Sequence, residues 1–297
     1  MHISRFALTL AAASAAVLAA CDGATSSNRG GPASLTVLLT DAPFSTADVK
    51  SATIFIERIA CREETASDEE TEDTESTGWT TIVEPNEAIN LIVLNNGVTL
   101  NLGTQQLPAG TFNSCRIVID PAQSFVELND GTKPDIKWPS AGQSGIKVHL
   151  DEPVLVKEGS IIVVDFDVGS SFVLRGNSIH NNGLLFKPVV HGVARDVAAT
   201  FSGKVVGDSA KGAPIDKATV QLLKAGTAVD DTVSANVLRT ATTDANGDFT
   251  FNFVVPGVYA VRAIPPSGSL YKAGLLTNGV TLLDAETESG ALIVLLK

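Results

Sequence analysis

The chain has 297 residues, 44% of them apolar, 18% charged and 5% aromatic, and a net charge of −12. This much apolar material supports one large or two modest packed domains and excludes a chain that is disordered throughout. The excess of acid argues against nucleic acid as a partner and disfavours electrostatic docking on anionic lipid.

Arg5 gives a positive start, and Phe6 to Val17 form an apolar run too short to span a bilayer comfortably. The tetrad LAAC, Leu18 to Cys21, follows. Small residues before a cysteine resemble the lipobox of bacterial lipoproteins. The resemblance implies a signal peptide over residues 1–20 and acylation of Cys21 as the first mature residue. The alternative is an ordinary secretory peptide with a coincidental cysteine. On the lipobox reading the protein belongs to the bacterial cell envelope and is held to a membrane through Cys21. It faces the periplasm from the inner or outer membrane, or sits at the cell surface. Acyl chains anchor by about 0.8 kcal/mol per buried methylene. Residues 21–34, CDGATSSNRGGPAS, have the small, polar composition of a flexible tether.

Short β-branched runs then recur: SLTVLLTDAPF, VKSATIFIERIAC, GWTTIVE, AINLIVL, VTLNLG, CRIVID, SFVEL, IKVHL, PVLVKEG and SIIVVDFDV. Turn residues separate them, with NNG at Asn95, PAG at Pro108, NDG at Asn129 and EG at Glu158. SFVLRGNSIHNNGLLFKPVVHGVA reads as a closing hairpin. Composition resets at ARDVAAT, and about seven further strands occupy residues 200–297. The pattern predicts an all-β protein of two β-sandwich domains, residues 35–196 and 200–297, the second immunoglobulin-like or transthyretin-like.

Between the second and third strands lies an acidic loop, residues 62–78, with eight carboxylates from Glu63 to Ser76 and no glycine among them. Calcium loops need fixed glycines between ligands, so the segment reads as a solvated insertion with diffuse cation attraction at most. Alternation puts Cys61 on one face with Phe55 and Ile59, and Cys115 on one with Ile117 and Ile119. Both sulfurs then point into one core, and export favours a disulfide between Cys61 and Cys115; the alternative is two buried thiols.

Two families share these blocks. LTVLLTDAPF, GWTTIVE, LPAGTFNSCRIVI, DFDVGSSFVLRGN and LLFKPVV together resemble the bacterial lipoprotein domain called domain-of-unknown-function family 4382, over Ser34 to Asp196. TTDANGDFTFNFVVPGVYAVRA is similar to carboxypeptidase-regulatory-like and Cna-B-like sandwiches. These imply location and fold, and no reaction.

Chemistry is sparse. Asp244 to Asp248, DANGD, imitates a calcium loop but has Phe249 where glycine is needed, and reads as a type I′ hairpin turn instead. GQSGI at Gly142 lacks the final glycine of a nucleophile elbow. His149, His180 and His191 are spread along the chain with no ligand spacing, so no metal or cofactor is expected. The conspicuous polar residues are Asp41, Asp165 and Asp167. They form a cation or hydroxyl site, or Asp41 caps a turn while Asp165 and Asp167 line a solvent face. The reading is a non-enzymatic scaffold or binding module whose partner is an envelope protein or a glycan. The alternatives are a carbohydrate-binding protein, for which Trp79, Trp138, Tyr259 and Tyr271 are the candidate platform, and a hydrolase whose triad is assembled from distant loops.

Overall fold

The computed structural model describes residues 30–41, 49–63, 78–95, 97–139, 145–150 and 152–297. The expected signal peptide, Cys21, acidic residues 64–77 and the GQS triplet 142–144 lie outside the described residues. Among the described residues no helix is long and apolar enough to cross a membrane.

The first domain runs through β1 (Gly30–Thr40), β2 (Val49–Glu63), β3 (Trp79–Val83), β4 (Glu87–Asn90), β5 (Leu100–Leu128), β6 (Ile136–Lys137), β7 (Ile146–Leu150), β8 (Val154–Val156) and β9 (Ser160–Phe166). A one-turn helix α1 (Val168–Ser171), β10 (Phe172–Leu174), a second turn α2 (Ile179–Asn182), β11 (Leu184–Phe186) and β12 (Val190–Ala194) complete it. Here β1 pairs in parallel with β9 and antiparallel with β5. Pairings of β9 with β12, β12 with β7 and β7 with β5 then return to β1, so hydrogen bonding makes a full circuit. Strands β10, β11 and β6 form a small separate sheet, whose Phe172 and Phe186 pack with Trp138. The expected closing hairpin is thus β10 and β11, with β12 returning to the main sheet.

Three local expectations are corrected. The last residues of the segment expected as a tether, 30–34, belong instead to β1, which starts at Gly30 and pairs Ala33 with Leu107. The strand expected over AINLIVL stops at Asn90, and Leu91–Leu94 wind into a 3-10 turn. Three residues per turn puts Leu91 and Leu94 on one face, and both are buried. PAG at Pro108 makes no turn. Its proline stands opposite Pro32 inside the 29-residue β5, so neither strand loses a donor that its partner expected. Later in β5 the chain bulges at Asp120–Ser124, where the Ser124 hydroxyl accepts the Phe55 amide at 2.9 Å.

Cys61 and Cys115 are disulfide-bonded. They sit directly opposite on β2 and β5, both buried in the core with Ile59, Ile117 and Ile119; a register shift between Ile56 and Arg58 puts Ile54 and Ile56, rather than the expected Phe55, in that core.

The second domain is an immunoglobulin-like sandwich. It comprises β13 (Ala199–Gly207), β14 (Thr219–Lys224), β15 (Val237–Thr242), β16 (Asp248–Val254), β17 (Gly257–Ile264), β18 (Gly274–Leu275), β19 (Val280–Leu282) and β20 (Thr287–Leu295). One sheet has the order β16-β13-β20 and the other β15-β14-β17, with β18 and β19 beside β17. Phe201, Phe249 and Phe251 cluster between the sheets. DANGD is not a hairpin turn: β15 and β16 belong to different sheets, and the turn is a corner between them. The Gly247 amide donates to the Asp244 carbonyl at 2.9 Å, and of the turn only Gly247 has positive φ, which type I′ does not allow. The Asp244 carboxylate accepts the amides of Asn246 and Asp248 at 2.8 and 2.9 Å, an Asx turn rather than a cation ligand set.

β1 and β9 read as almost continuous apolar runs because both of their faces are covered. Leu35, Val37, Leu39, Ile162, Val164 and Phe166 face the first core. On the opposite parity Leu38, Val163 and Val193 meet Val255 of the second domain, with Val197 and Phe253 packed around them. Each aliphatic side chain buried there contributes about 1.5–3 kcal/mol.

Candidate functional site at the domain junction

The outer parity of β9 that carries Val163 next presents Asp165. Register places Thr40, Asp165, His191 and His149 in one row across β1, β9, β12 and β7. The second domain lays Arg239 of β15 over that row. Arg239 and Asp165 form an ion pair whose side chains are each 7% exposed, and Arg239 also donates to the Phe253 carbonyl at 3.1 Å.

Asp41 and Asp167 belong to the same corner. Asp41, 3% exposed, accepts the Val168 amide at 3.0 Å and so fixes the start of α1. Asp167 caps that turn, accepting the amide and hydroxyl of Ser170 at 2.8 and 2.9 Å. The solvent face expected for Asp165 and Asp167 is therefore corrected: both are buried, because the second domain covers the outer parity of β9. Asp41 and Asp165 line one narrow crevice with Arg239, while Asp167 lines a wider groove on the far side of Arg239.

Burial pushes the Asp165 carboxyl upward against the opposing pull of Arg239. Asp167 rises to about 6, chiefly through burial, with the Asp165 charge adding and the Ser170 hydrogen bonds subtracting. His191 falls to about 3, through burial first, then the charges of Arg239 and His149.

The expectation that no histidine lies near another is also corrected. Parallel pairing of β7 and β12 sets the His149 and His191 rings 5.7 Å apart, edge to face. His180 is separate and exposed in α2. The two imidazoles line a cavity of about 380 Å³ with Glu152, Lys224, Arg239 and Tyr259. Its neighbouring hydroxyl, on Thr40, donates to the carbonyls of Leu94 and Val98 at 3.0 and 2.8 Å. The Asp165 carboxylate of the same row is held by Arg239. The Thr40 hydroxyl and the Asp165 carboxylate are both engaged in structure, and no group of three or more metal-ligating side chains is found among the described residues.

The four aromatic residues weighed for a sugar platform pack in different places. Trp138 packs on Phe186, ring centres 4.5 Å apart. Tyr259 donates to the Val255 carbonyl at 2.6 Å, and Tyr271 to Asp208 at 2.9 Å. Trp79 lies between Arg62 and Arg116.

Arg239 was the residue that sequence did not single out. Its signal was parity alone: it shares a strand face with the buried Ala241 and Thr243.

Residues 32–188, more than half of the chain, match the family model described as "Domain of unknown function (DUF4382)". The chain belongs to the DUF4382 family. Residues 200–288 match the carboxypeptidase regulatory-like domain, in the expected order. Asp41, Asp165 and Asp167 thus lie in the DUF4382 domain, and Arg239 in the regulatory-like one. No curated protein matches the chain. Among solved structures, a Pseudomonas aeruginosa protein proposed to bind carbohydrate is 20% identical over 34% of this chain and 90% of its own, at a TM-score of 0.26. The shaft pilin SpaA of Lactobacillus rhamnosus GG is 11% identical over 89% and 97%, at 0.24. The Bacillus anthracis TIE protein is 12% identical over 89% of this chain and 35% of its own, at 0.23. Scores of this size carry nothing about ligand or partner.

Proposed function

We propose that this DUF4382 protein is a non-enzymatic scaffold of the bacterial cell envelope, moored by acylated Cys21 and presenting its two sandwich modules as one body. The observation that carries the reading is the junction. The most conspicuous carboxylates of the DUF4382 domain are spent on Arg239 and on the turn at Val168, beneath a shared apolar layer. Side chains committed in this way hold a geometry; they do not turn over a substrate. The junction fixes how the two modules stand relative to each other.

Two measurements test it. Replacing Cys21 by Ser should move the protein from the membrane to the soluble fraction, and continued pelleting would remove the anchor. Small-angle scattering of the soluble form should fit one rigid two-module particle. A distribution of inter-domain distances, or hydrolysis of ester, amide or glycoside substrates lost on His191→Gln, would overturn the scaffold.

A further inference from the structure

A groove of about 720 Å³ runs along the junction on the far side of Arg239. Val237, Leu238, Arg239 and Thr240 of β15 line it from the second domain, and Phe172, Val173 and Leu174 of β10 from the first. Neighbouring residues of a strand point to opposite faces. A groove that touches four in succession on β15 and three on β10 therefore runs along the edges of both. Among the described residues each strand is the last of its sheet, β15 beside β14 and β10 beside β11. Hydrogen bonding fixes which backbone groups look outward. The Thr243 amide donates to the Ala218 carbonyl at 3.0 Å, so by alternation Ala241 and Arg239 turn their backbone groups to β14 and Thr240 turns its own away. On β10 the Arg175 amide donates to the Gly183 carbonyl at 3.0 Å and the Lys187 amide to the Ser171 carbonyl at 2.8 Å. The same alternation turns the backbone groups of Leu174 away from β11.

An outward row of amides and carbonyls is a template for another strand, and such edges are ordinarily guarded by outward charge or proline. Neither strand is guarded in that way. β10 reads FVL, with Val173 42% and Leu174 46% exposed. β15 reads VLRTAT; it is irregular only between Val237 and Arg239, and its one charge, Arg239, is turned inward onto Asp165. A ligand that matches a backbone row is itself a backbone, which selects an extended polypeptide over a sugar or a small anion. The lining sets the composition of that polypeptide. Phe172, Leu174, Val189 and Leu238 suit apolar side chains, and Ser170, Ser234 and Thr240 suit hydroxyls. The charges balance, since Arg239 is matched by Asp165 and Lys187 offsets Asp167 in sign. We infer that the groove binds an extended, uncharged segment of a partner polypeptide with alternating apolar and hydroxyl side chains. The segment adds to the edge of β15 and lays its apolar side chains on β10. This site rests on the rigid junction of the scaffold reading, and not on the anchor.

An acetylated, amidated hexapeptide of alternating valine and threonine, titrated calorimetrically into the soluble Cys21→Ser chain, should bind at one site per molecule. N-methylation of every second residue should weaken binding about tenfold or more in at least one of its two parities. Thr240→Pro removes only an outward amide, which an edge strand tolerates, and should weaken binding as much. Thr240→Ala keeps that amide and should weaken it little. Leu174→Asp, at an exposed position that spares folding, should also weaken it. The inference is overturned if the peptide does not bind at millimolar concentration, or if both methylated forms bind as well as the parent. Affinity unchanged in both Thr240→Pro and Leu174→Asp overturns it too. Preference for cellohexaose over the peptide, or self-association of the chain that Thr240→Pro abolishes, would give the groove to a glycan or to a second copy and overturn it equally. Small-angle scattering of the same sample separates this from the scaffold reading: a rigid particle that binds no peptide sinks the groove alone, and an open two-body particle sinks both.

Discussion

Two outer faces of the first domain make an instructive pair. On β9 and β12 the outward residues Asp165 and His191 are covered by the second domain, and Asp165 is matched by Arg239. On β2 and β5 the outward residues Arg62 and Arg116 gather around Trp79 with Lys147, and the second domain does not line their cleft. The same alternation generates both faces. What differs is the layer above: a covering module pairs the buried charge of Asp165 with Arg239, whereas the charges at Trp79 line a cleft that the second domain does not cover.

Breaking the buried pair should give the largest effect. Arg239→Met leaves Asp165 buried without its cation, and should cost about 3–5 kcal/mol in denaturant unfolding. Adding Asp165→Asn should recover part of that loss, and a strictly additive double-mutant cycle would deny the pair any coupling. Removing the cross-link beneath the open face should cost roughly 4 kcal/mol for 54 residues of separation. A Cys61→Ala, Cys115→Ala protein that unfolds at the wild-type midpoint would show that the bridge contributes nothing.

The junction should also be visible in pH dependence, through two groups of opposite sign. His191 is held at about 3 when folded against 6.5 ordinarily, so the unfolded chain takes up its proton first and stability falls as pH drops below 6.5. Asp167 is raised from 3.8 to about 6, so the folded chain takes up its proton first and stability rises as pH drops from 6 toward 3.8. Down to about pH 4 the His191 and Asp167 contributions nearly cancel, and Asp165, also pushed upward by burial, adds to the side of Asp167. His191→Gln should therefore gain roughly 3 kcal/mol between pH 6.5 and 4, and Asp167→Asn should lose about as much. Parallel pH profiles for wild type and both variants would refute the assignment. The smallest effect is apolar. Val255→Ala removes two methyl-sized groups from the junction, about 1.6 kcal/mol, and should loosen the modules before it unfolds either one.

Sequence showed the all-β class, the two modules and the inward cysteines because each follows from spacing within a few residues. It did not show Arg239 above Asp165, or His149 beside His191, because those contacts arise from register between strands far apart in the chain. The unbroken runs LTVLLT and SIIVVDF did hint at a covered outer face, since a half-solvated strand alternates. Asp165 at the end of such a run was in retrospect the sign of a buried partner. At PAG local turn chemistry is overridden by Pro32 standing opposite, which no local window contains.

The circuit from β1 through β9, β12, β7 and β5 back to β1 has one more consequence. A strand with neighbours on both sides offers no free row of amides for another chain to extend. Where copies of one chain meet, edge-to-edge templating begins at such free rows. Closing the ring takes five strands of this module out of reach of that reaction and leaves it to short strands such as β3, β4 and β8.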